Sequence, residues 1–225
     1  KGVLSVGTDG TARVWDLGSG KETAVIAAHD VPISTCGYSR DGRLLFTGAR
    51  DGLVKVWDAT TFALKRTLSG HENWVRAFAF HEDGRFLSGS YDGTVAVWDG
   101  THDSPIATMS RHTRPDGSAA PVTAVAVLPD GDTVVSGGLD GCLRFWTLAT
   151  GELIHVVQAH EEGIVDVVVH EGRVVSAGMD QCVHWWTLPT ESATPERCET
   201  LHCGVELDAL CAYETSLAVG DRAGH

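Results

Sequence analysis

Short apolar runs of strand length alternate with pairs of turn residues along the chain, and the clearest set lies between His71 and Asp99. Trp74 to Phe80, Arg85 to Ser90 and Thr94 to Trp98 are the runs, and Asp83-Gly84 and Asp92-Gly93 divide them. Asp-Gly between alternating hydrophobic residues is a strong hairpin signal, because both residues accept the positive backbone angles of a tight turn. The pattern predicts a three-stranded antiparallel meander. In Leu53 to Trp57 the register is plain: Val54 and Val56 share one face, while Leu53, Lys55 and Trp57 share the other. So small a meander is apolar on both faces and needs neighbours of the same shape stacked against it.

The neighbours are present. Tryptophan recurs in the same surroundings at Trp15, Trp57, Trp98, Trp146 and Trp186, at spacings of 42, 41, 48 and 40 residues. That period suits a blade of four strands. Asp9, Asp51, Asp92, Asp140 and Asp180 each stand six residues before the tryptophan. Ser5, Thr47, Ser88, Ser136 and Ser176 stand four before the aspartate, and His29, His71, His112 and His160 follow the preceding tryptophan by fourteen. An indole N–H, a hydroxyl, an imidazole and a carboxylate at fixed spacing suit a buried chain of hydrogen bonds in which each group finds a partner.

With these motifs the chain resembles the WD-repeat family. The terminal dipeptide stands as Trp15-Asp16, Trp57-Asp58 and Trp98-Asp99, and departs to Trp146-Thr147 and Trp186-Thr187. The opening Gly-His is intact at Gly70-His71 and varied at Ala28-His29, Arg111-His112 and Ala159-His160. The resemblance implies an all-β fold, a β-propeller of four-stranded antiparallel blades spanning residues 1–225. Four complete blades are expected at 29–69, 70–110, 111–158 and 159–200, with partial ones at 1–28 and 201–225. Both ends offer a second strand, Leu4 to Gly7 and Leu217 to Gly220, so they duplicate one another. Further blades are expected in a longer parent protein.

Composition narrows the function. Hydrophobic residues at 43% suffice for a core, and 26 glycines fit many turns. Seventeen Lys and Arg against 30 Asp and Glu give a net charge of -13, which disfavours generic nucleic-acid binding and favours a basic protein partner. No run approaches the roughly 18 apolar residues of a membrane span, and the start at Lys1 lacks the order of a signal peptide. A soluble, cytoplasmic fragment is expected, with reduced thiols at Cys36, Cys142, Cys182, Cys198, Cys203 and Cys211. Cys198, His202 and Cys203 lack a fourth ligand at a usual spacing, so neither metal nor cofactor is expected.

The recurring Ser, His and Asp invite comparison with a catalytic triad, but four or five copies fit bracing better than one active site. Phosphate-loop, metalloprotease and nucleophile-elbow motifs are missing, so no enzyme is expected. The family resemblance places candidate partner-binding residues on the narrow face around the channel. One set precedes each tight-turn aspartate: Thr8, Arg50, Tyr91, Leu139 and Met179. A second precedes each first strand: Pro32, Glu72, Trp74, Glu161 and Gly163. Arg50, Trp74 and Tyr91 stand out, because aromatic residues and arginine often dominate interfaces. Arg13, Lys55, Arg144 and His184, two before each tryptophan, are expected to be structural or solvated.

Two polar stretches read as surface loops, RHTRPDGSAAPV at 111–122 and PTESATPERCETLHC at 189–203. The expected function is a protein-interaction scaffold or sensor within a larger protein. One alternative is the ligand-sensing region of a nucleotide-switching signalling NTPase, suggested by LAVGDRAGH at 217–225. The other is a ribonucleoprotein component touching RNA through Arg111 to Arg114.

Overall fold

The computed structural model describes residues 2–109, 112–114, 116–190, 193–213 and 216–221, which hold 21 strands and no helix. None of the described residues therefore forms a helix long and apolar enough to cross a membrane. Six antiparallel sheets follow one another, each in chain order. The first has β1 Gly2–Val6, β2 Thr11–Asp16 and β3 Glu22–Ala27. The second has β4 Ile33–Tyr38, β5 Leu44–Ala49, β6 Val54–Asp58 and β7 Leu64–Leu68. The third has β8 Val75–Phe80, β9 Phe86–Ser90, β10 Val95–Trp98 and β11 Ala107–Met109. The fourth has β12 Val122–Val127, β13 Thr133–Gly138, β14 Cys142–Thr147 and β15 Leu153–Gln158. The fifth has β16 Ile164–His170, β17 Arg173–Gly178, β18 Cys182–Trp186 and β19 Arg197–His202, and the last pairs β20 Leu207–Tyr213 with β21 Ser216–Asp221.

The sheets stand side by side as blades. Their first strands β4, β8, β12, β16 and β20 pack on one another in succession and wall a cavity of 680 Å³ lined by Phe78, Val125, Val168 and Leu210. Strand alternation sends neighbouring side chains into opposite interfaces. Val54 and Val56 meet Val75, Phe86 and Trp98 of the third blade, whereas Trp57 packs with Ala12, Ile26 and Ile33 on the other side. The same arrangement sets Trp146 among Leu87, Met109 and Val122, and Trp186 among Val135, Phe145 and Ile164. Each buried Val, Leu or Phe contributes about 1.5–3 kcal/mol of apolar burial, so the blades hold chiefly by stacking.

Each of the five strands β4, β8, β12, β16 and β20 carries a bulge at the same place: between Ile33 and Thr35, Val75 and Ala77, Val122 and Ala124, Ile164 and Asp166, and Leu207 and Ala209. The extra residue bends the strand and re-aims the side chains beyond it. In the fourth blade it is Thr123, whose hydroxyl donates to the Ile164 carbonyl of the next blade at 2.7 Å. After the bulge of the fifth blade, the Asp166 carboxylate accepts the Leu210 N–H at 2.8 Å, tying β16 to β20. Burial pushes the Asp166 carboxyl above its ordinary range.

A second tie runs through the Asp-Gly turns. The carbonyls of Gly10, Gly93 and Gly141 accept the main-chain N–H of His29, His112 and His160, each at the start of the following blade. In the fifth blade the turn is Asp180-Gln181, with Gln181 at φ 65°, and its carbonyl accepts the Cys203 N–H.

The two polar stretches are more ordered than simple loops. Arg197–His202 is the fourth strand of its blade, exposed at all six positions and paired with β18. The inserted segment closes on itself, with Thr113 bridged to Ala119 and the Arg114 N–H donating to the Ser118 carbonyl. Arg111, at its start, lies outside the described residues, as do 222–225 at the chain end.

Candidate functional site

In four blades the tryptophan, hydroxyl, histidine and aspartate join into one chain of hydrogen bonds. In the fourth, the Trp146 indole N–H donates to Ser136 Oγ at 2.8 Å, and that oxygen lies 2.7 Å from His112 Nε2, whose Nδ1 faces Asp140 at 3.2 Å. The third links Trp98, Ser88, His71 and Asp92 at 2.8, 2.7 and 3.0 Å. The second links Trp57, Thr47, His29 and Asp51 at 3.1, 2.9 and 3.1 Å. The fifth links Trp186, Ser176, His160 and Asp180 at 3.0, 2.7 and 2.9 Å. Each aspartate also accepts an N–H two residues on, from Leu53, Thr94, Cys142 or Cys182, and so fixes its own turn. The first blade has the Trp15 to Ser5 bond at 2.7 Å, but there Asp9 turns to Thr11 and Arg13.

The four hydroxyl-bearing residues Thr47, Ser88, Ser136 and Ser176 are fully buried. A hydroxyl sealed between an indole and an imidazole has no route to a substrate, and the geometry is that of bracing.

Residues two before the tryptophan meet these chains. Arg144 sets Nη1 2.5 Å from Asp140 Oδ2 and touches His112 Nδ1, Arg13 reaches Asp9 and Glu22, and Lys55 donates to the Ala28 carbonyl. His184 instead stacks on His160, with ring centroids 4.5 Å apart. All four side chains have structural contacts.

Burial lowers the pKa of His29, His112 and His160 below the ordinary histidine value, despite the carboxylate each faces, and pushes His184 down to about 4. Burial pulls Asp140 upward, but its bonds to His112 and Arg144 prevail and hold it at about 2. A histidine whose folded pKa is depressed costs stability once the unfolded chain binds protons, below about pH 6.5. A carboxylate whose folded pKa is depressed loses its contribution lower still. Both signs agree, so the melting temperature is expected to fall steadily as pH drops from 7.5 to 5. A flat melting temperature over that window would mean that the histidines are not held neutral.

Arg50, Trp74 and Tyr91 form one stack. The Arg50 Cζ lies 3.8 Å from the Trp74 ring centroid, and the Trp74 and Tyr91 rings are 5.0 Å apart and 16° from parallel. The backbone sets it up, because the Tyr91 N–H donates to the Trp74 carbonyl at 2.9 Å and the Arg50 N–H to the Pro32 carbonyl at 3.1 Å. The same bonds join Leu139 to Pro121 and Met179 to Gly163. At Gly163 a Cβ would come within 2.8 Å of Leu139 Cδ2 and 3.3 Å of Met179 Sδ, so those two close over the position that Trp74 occupies earlier. Arg50, Glu72, Glu161 and Met179 are exposed, Trp74, Tyr91 and Leu139 half-buried. Thr8 is exposed and Pro32 half-buried at the first blades. The N–H groups of Glu72 and Glu161 donate to Asp92 and Asp180, so the bracing aspartates also place these glutamates.

Pro121 belongs to this set, and the long step from His112 to Val122, ten positions on where His71 to Val75 takes four, hides it in the sequence. His160, Asp180 and His184 form a further cluster, with one ligating atom from each within 4.8 Å of the others.

Radially stacked antiparallel blades, each braced from tryptophan to aspartate, define a repeat β-propeller. The family model described as WD domain, G-beta repeat matches residues 20–58, 62–99 and 103–147, more than half the chain, which belongs to that family. The fifth blade, with its complete hydrogen-bonded chain, falls outside those matches. Telomerase protein component 1 of Mus musculus is 35% identical over 161 residues, covering 65% of this chain and 6% of that protein. DENN domain and WD repeat-containing protein SCD1 of Arabidopsis thaliana is 26% identical over 167 residues, 73% of this chain and 14% of its own length. Nuclear distribution protein PAC1 of Arthroderma benhamiae is 37% identical over 108 residues, 38% and 23% respectively. The chain thus spans less than a quarter of each of these relatives. A chain in the solved structure titled "Crystal Structure of Mitotic Checkpoint Complex" superposes with a TM-score of 0.80 at 24% identity, over 93% of this chain and 63% of that one, and so shares the fold.

Proposed function

We propose that this chain is a non-catalytic scaffold that binds a protein partner across the narrow face bearing Arg50, Trp74 and Tyr91, with Glu72, Leu139 and Met179 beside them. The stack carries the reading: an exposed guanidinium and two half-buried rings held together offer much contact area with few rotors left to freeze. The exposed Glu72 and Glu161 and a net charge of -13 favour a basic segment in the partner. Family membership and the names of the relatives agree with a role in assemblies. The reduced cytoplasm is the compartment that suits six free cysteines.

Replacing Arg50 and Trp74 together with alanine is expected to weaken partner capture by about 30-fold or more, as removal of an interface hot spot does. The melting temperature should move little, since Arg50 is exposed and Trp74 only half-buried. Quantitative pull-down beside a Leu153→Ala control on an outer strand reads the effect, and equal capture by all three proteins would reject this face.

The RNA reading loses support at Arg114, whose guanidinium donates to the Ala119 carbonyl within its own loop. The signalling NTPase reading rests on 217–225, of which 217–221 belong to β21 and the remainder lies outside the described residues.

A further inference from the structure

We propose that His160, Asp180 and His184 form a binding site for one divalent transition ion, with Zn²⁺ the best chemical match. In the fourth blade the slot over the His–Asp pair holds the Arg144 guanidinium, which supplies a positive charge to Asp140. The third blade puts Ala96 there, and the Thr94 hydroxyl meets Asp92 instead. In the fifth blade the slot holds an imidazole, and among the described residues the one ion-pair partner of Asp180 is His160. A carboxylate that in the fourth blade faces a guanidinium here faces two imidazoles. Two imidazoles and a carboxylate are a borderline nitrogen and oxygen donor set of the kind zinc takes.

The spacing fits. Bonds of about 2.0–2.2 Å to zinc put neighbouring ligand atoms roughly 3.3 Å apart. His160 Nδ1 already lies 2.9 and 3.1 Å from the two Asp180 oxygens, and the His184 ligand atom, within 4.8 Å of both partners, comes to bonding distance when its ring turns off its stack on His160. The ion would stand where the Nδ1 proton stands and would release that proton on binding. His184 Nδ1 lies 2.9 Å from Thr200 Oγ1, a contact that orients its ring. The three residues line a cavity of 770 Å³ with Glu161, Arg197 and Thr200, roomy enough for a water as fourth ligand. Cys182 and His202 line the same cavity, with sulfur and Nδ1 3.1 Å apart, and pair with each other.

Chelator-treated protein titrated with Zn²⁺ by calorimetry is expected to bind one ion per chain, and Co²⁺ in its place to give the visible bands of a tetrahedral site. His184→Ala introduces the residue that the third blade carries and should weaken binding at least about 10-fold. His184→Arg introduces the cation of the fourth blade and should fold normally and bind no ion. Cys182→Ser should leave affinity unchanged. Absence of saturable binding by the wild-type chain would overturn the site, as would binding that survives both His184 substitutions. A thiolate-to-cobalt band lost in Cys182→Ser would overturn the ligand assignment, placing the ion on Cys182 and His202.

Discussion

Ser136→Ala is expected to cost the chain about 2–4 kcal/mol, because two buried groups lose their partner at once and each orphaned group costs about 1–3 kcal/mol. The hydroxyl accepts from the Trp146 indole and lies 2.7 Å from His112 Nε2, and all three residues are 0% exposed, so no water can replace it. Ser5→Ala is the internal control. Ser5 is half-buried and its described bond is to Trp15, so its loss should be about 1 kcal/mol. Urea denaturation of both variants separates the cases, and equal losses would show that the imidazole gains nothing from the serine.

Gly141→Ala should be at least as damaging, at about 2–5 kcal/mol. The residue sits at φ 73°, where a side chain is strained, and a Cβ would fall 2.5 Å from the His160 carbonyl and 2.7 Å from that of Glu162. Those carbonyls cannot retreat freely, because the His160 N–H is bonded to Gly141 itself at 3.0 Å. Gln181 shows when the same turn accepts a side chain. It stands at φ 65° in the fifth blade, where His202 comes sixteen residues after Trp186 instead of fourteen, so a different segment crosses it. Gln181→Ala should therefore melt close to wild type, and a Gly141→Ala protein as stable as Gln181→Ala would refute the steric account.

Alternation and Asp-Gly pairs made the strands legible almost to the residue: the runs from Trp74, Arg85 and Thr94 appear as Val75–Phe80, Phe86–Ser90 and Val95–Trp98. A fourth strand was expected in the fifth blade, but its place was hidden because RCETLH is exposed on both faces of a sheet edge and shows no apolar alternation. The bulges were hidden because Ser34, Arg76, Thr123, Val165 and Asp208 share no residue type that marks an extra position.

At the candidate site, the hydrogen-bonded chains were readable because four residue types repeat at fixed spacing. Arg50, Trp74 and Tyr91 could be read as one patch across the second and third units, but the seating of the guanidinium on the indole shows only in the fold. The histidine cluster was missed for the opposite reason. His184 reads as one more member of the series Arg13, Lys55 and Arg144, while Cys198, His202 and Cys203 draw the eye by proximity in sequence. In the fold Cys198 is exposed and His202 meets Cys182 across the strand pair.

His29, His112 and His160 each grip two blades, by main chain to the turn behind and by imidazole to the hydroxyl and carboxylate ahead. Peeling one sheet away breaks a rear anchor and strips the next sheet of its donor. Disruption therefore spreads along the ring from any starting point, and the array tends to yield as one body instead of shedding its members singly.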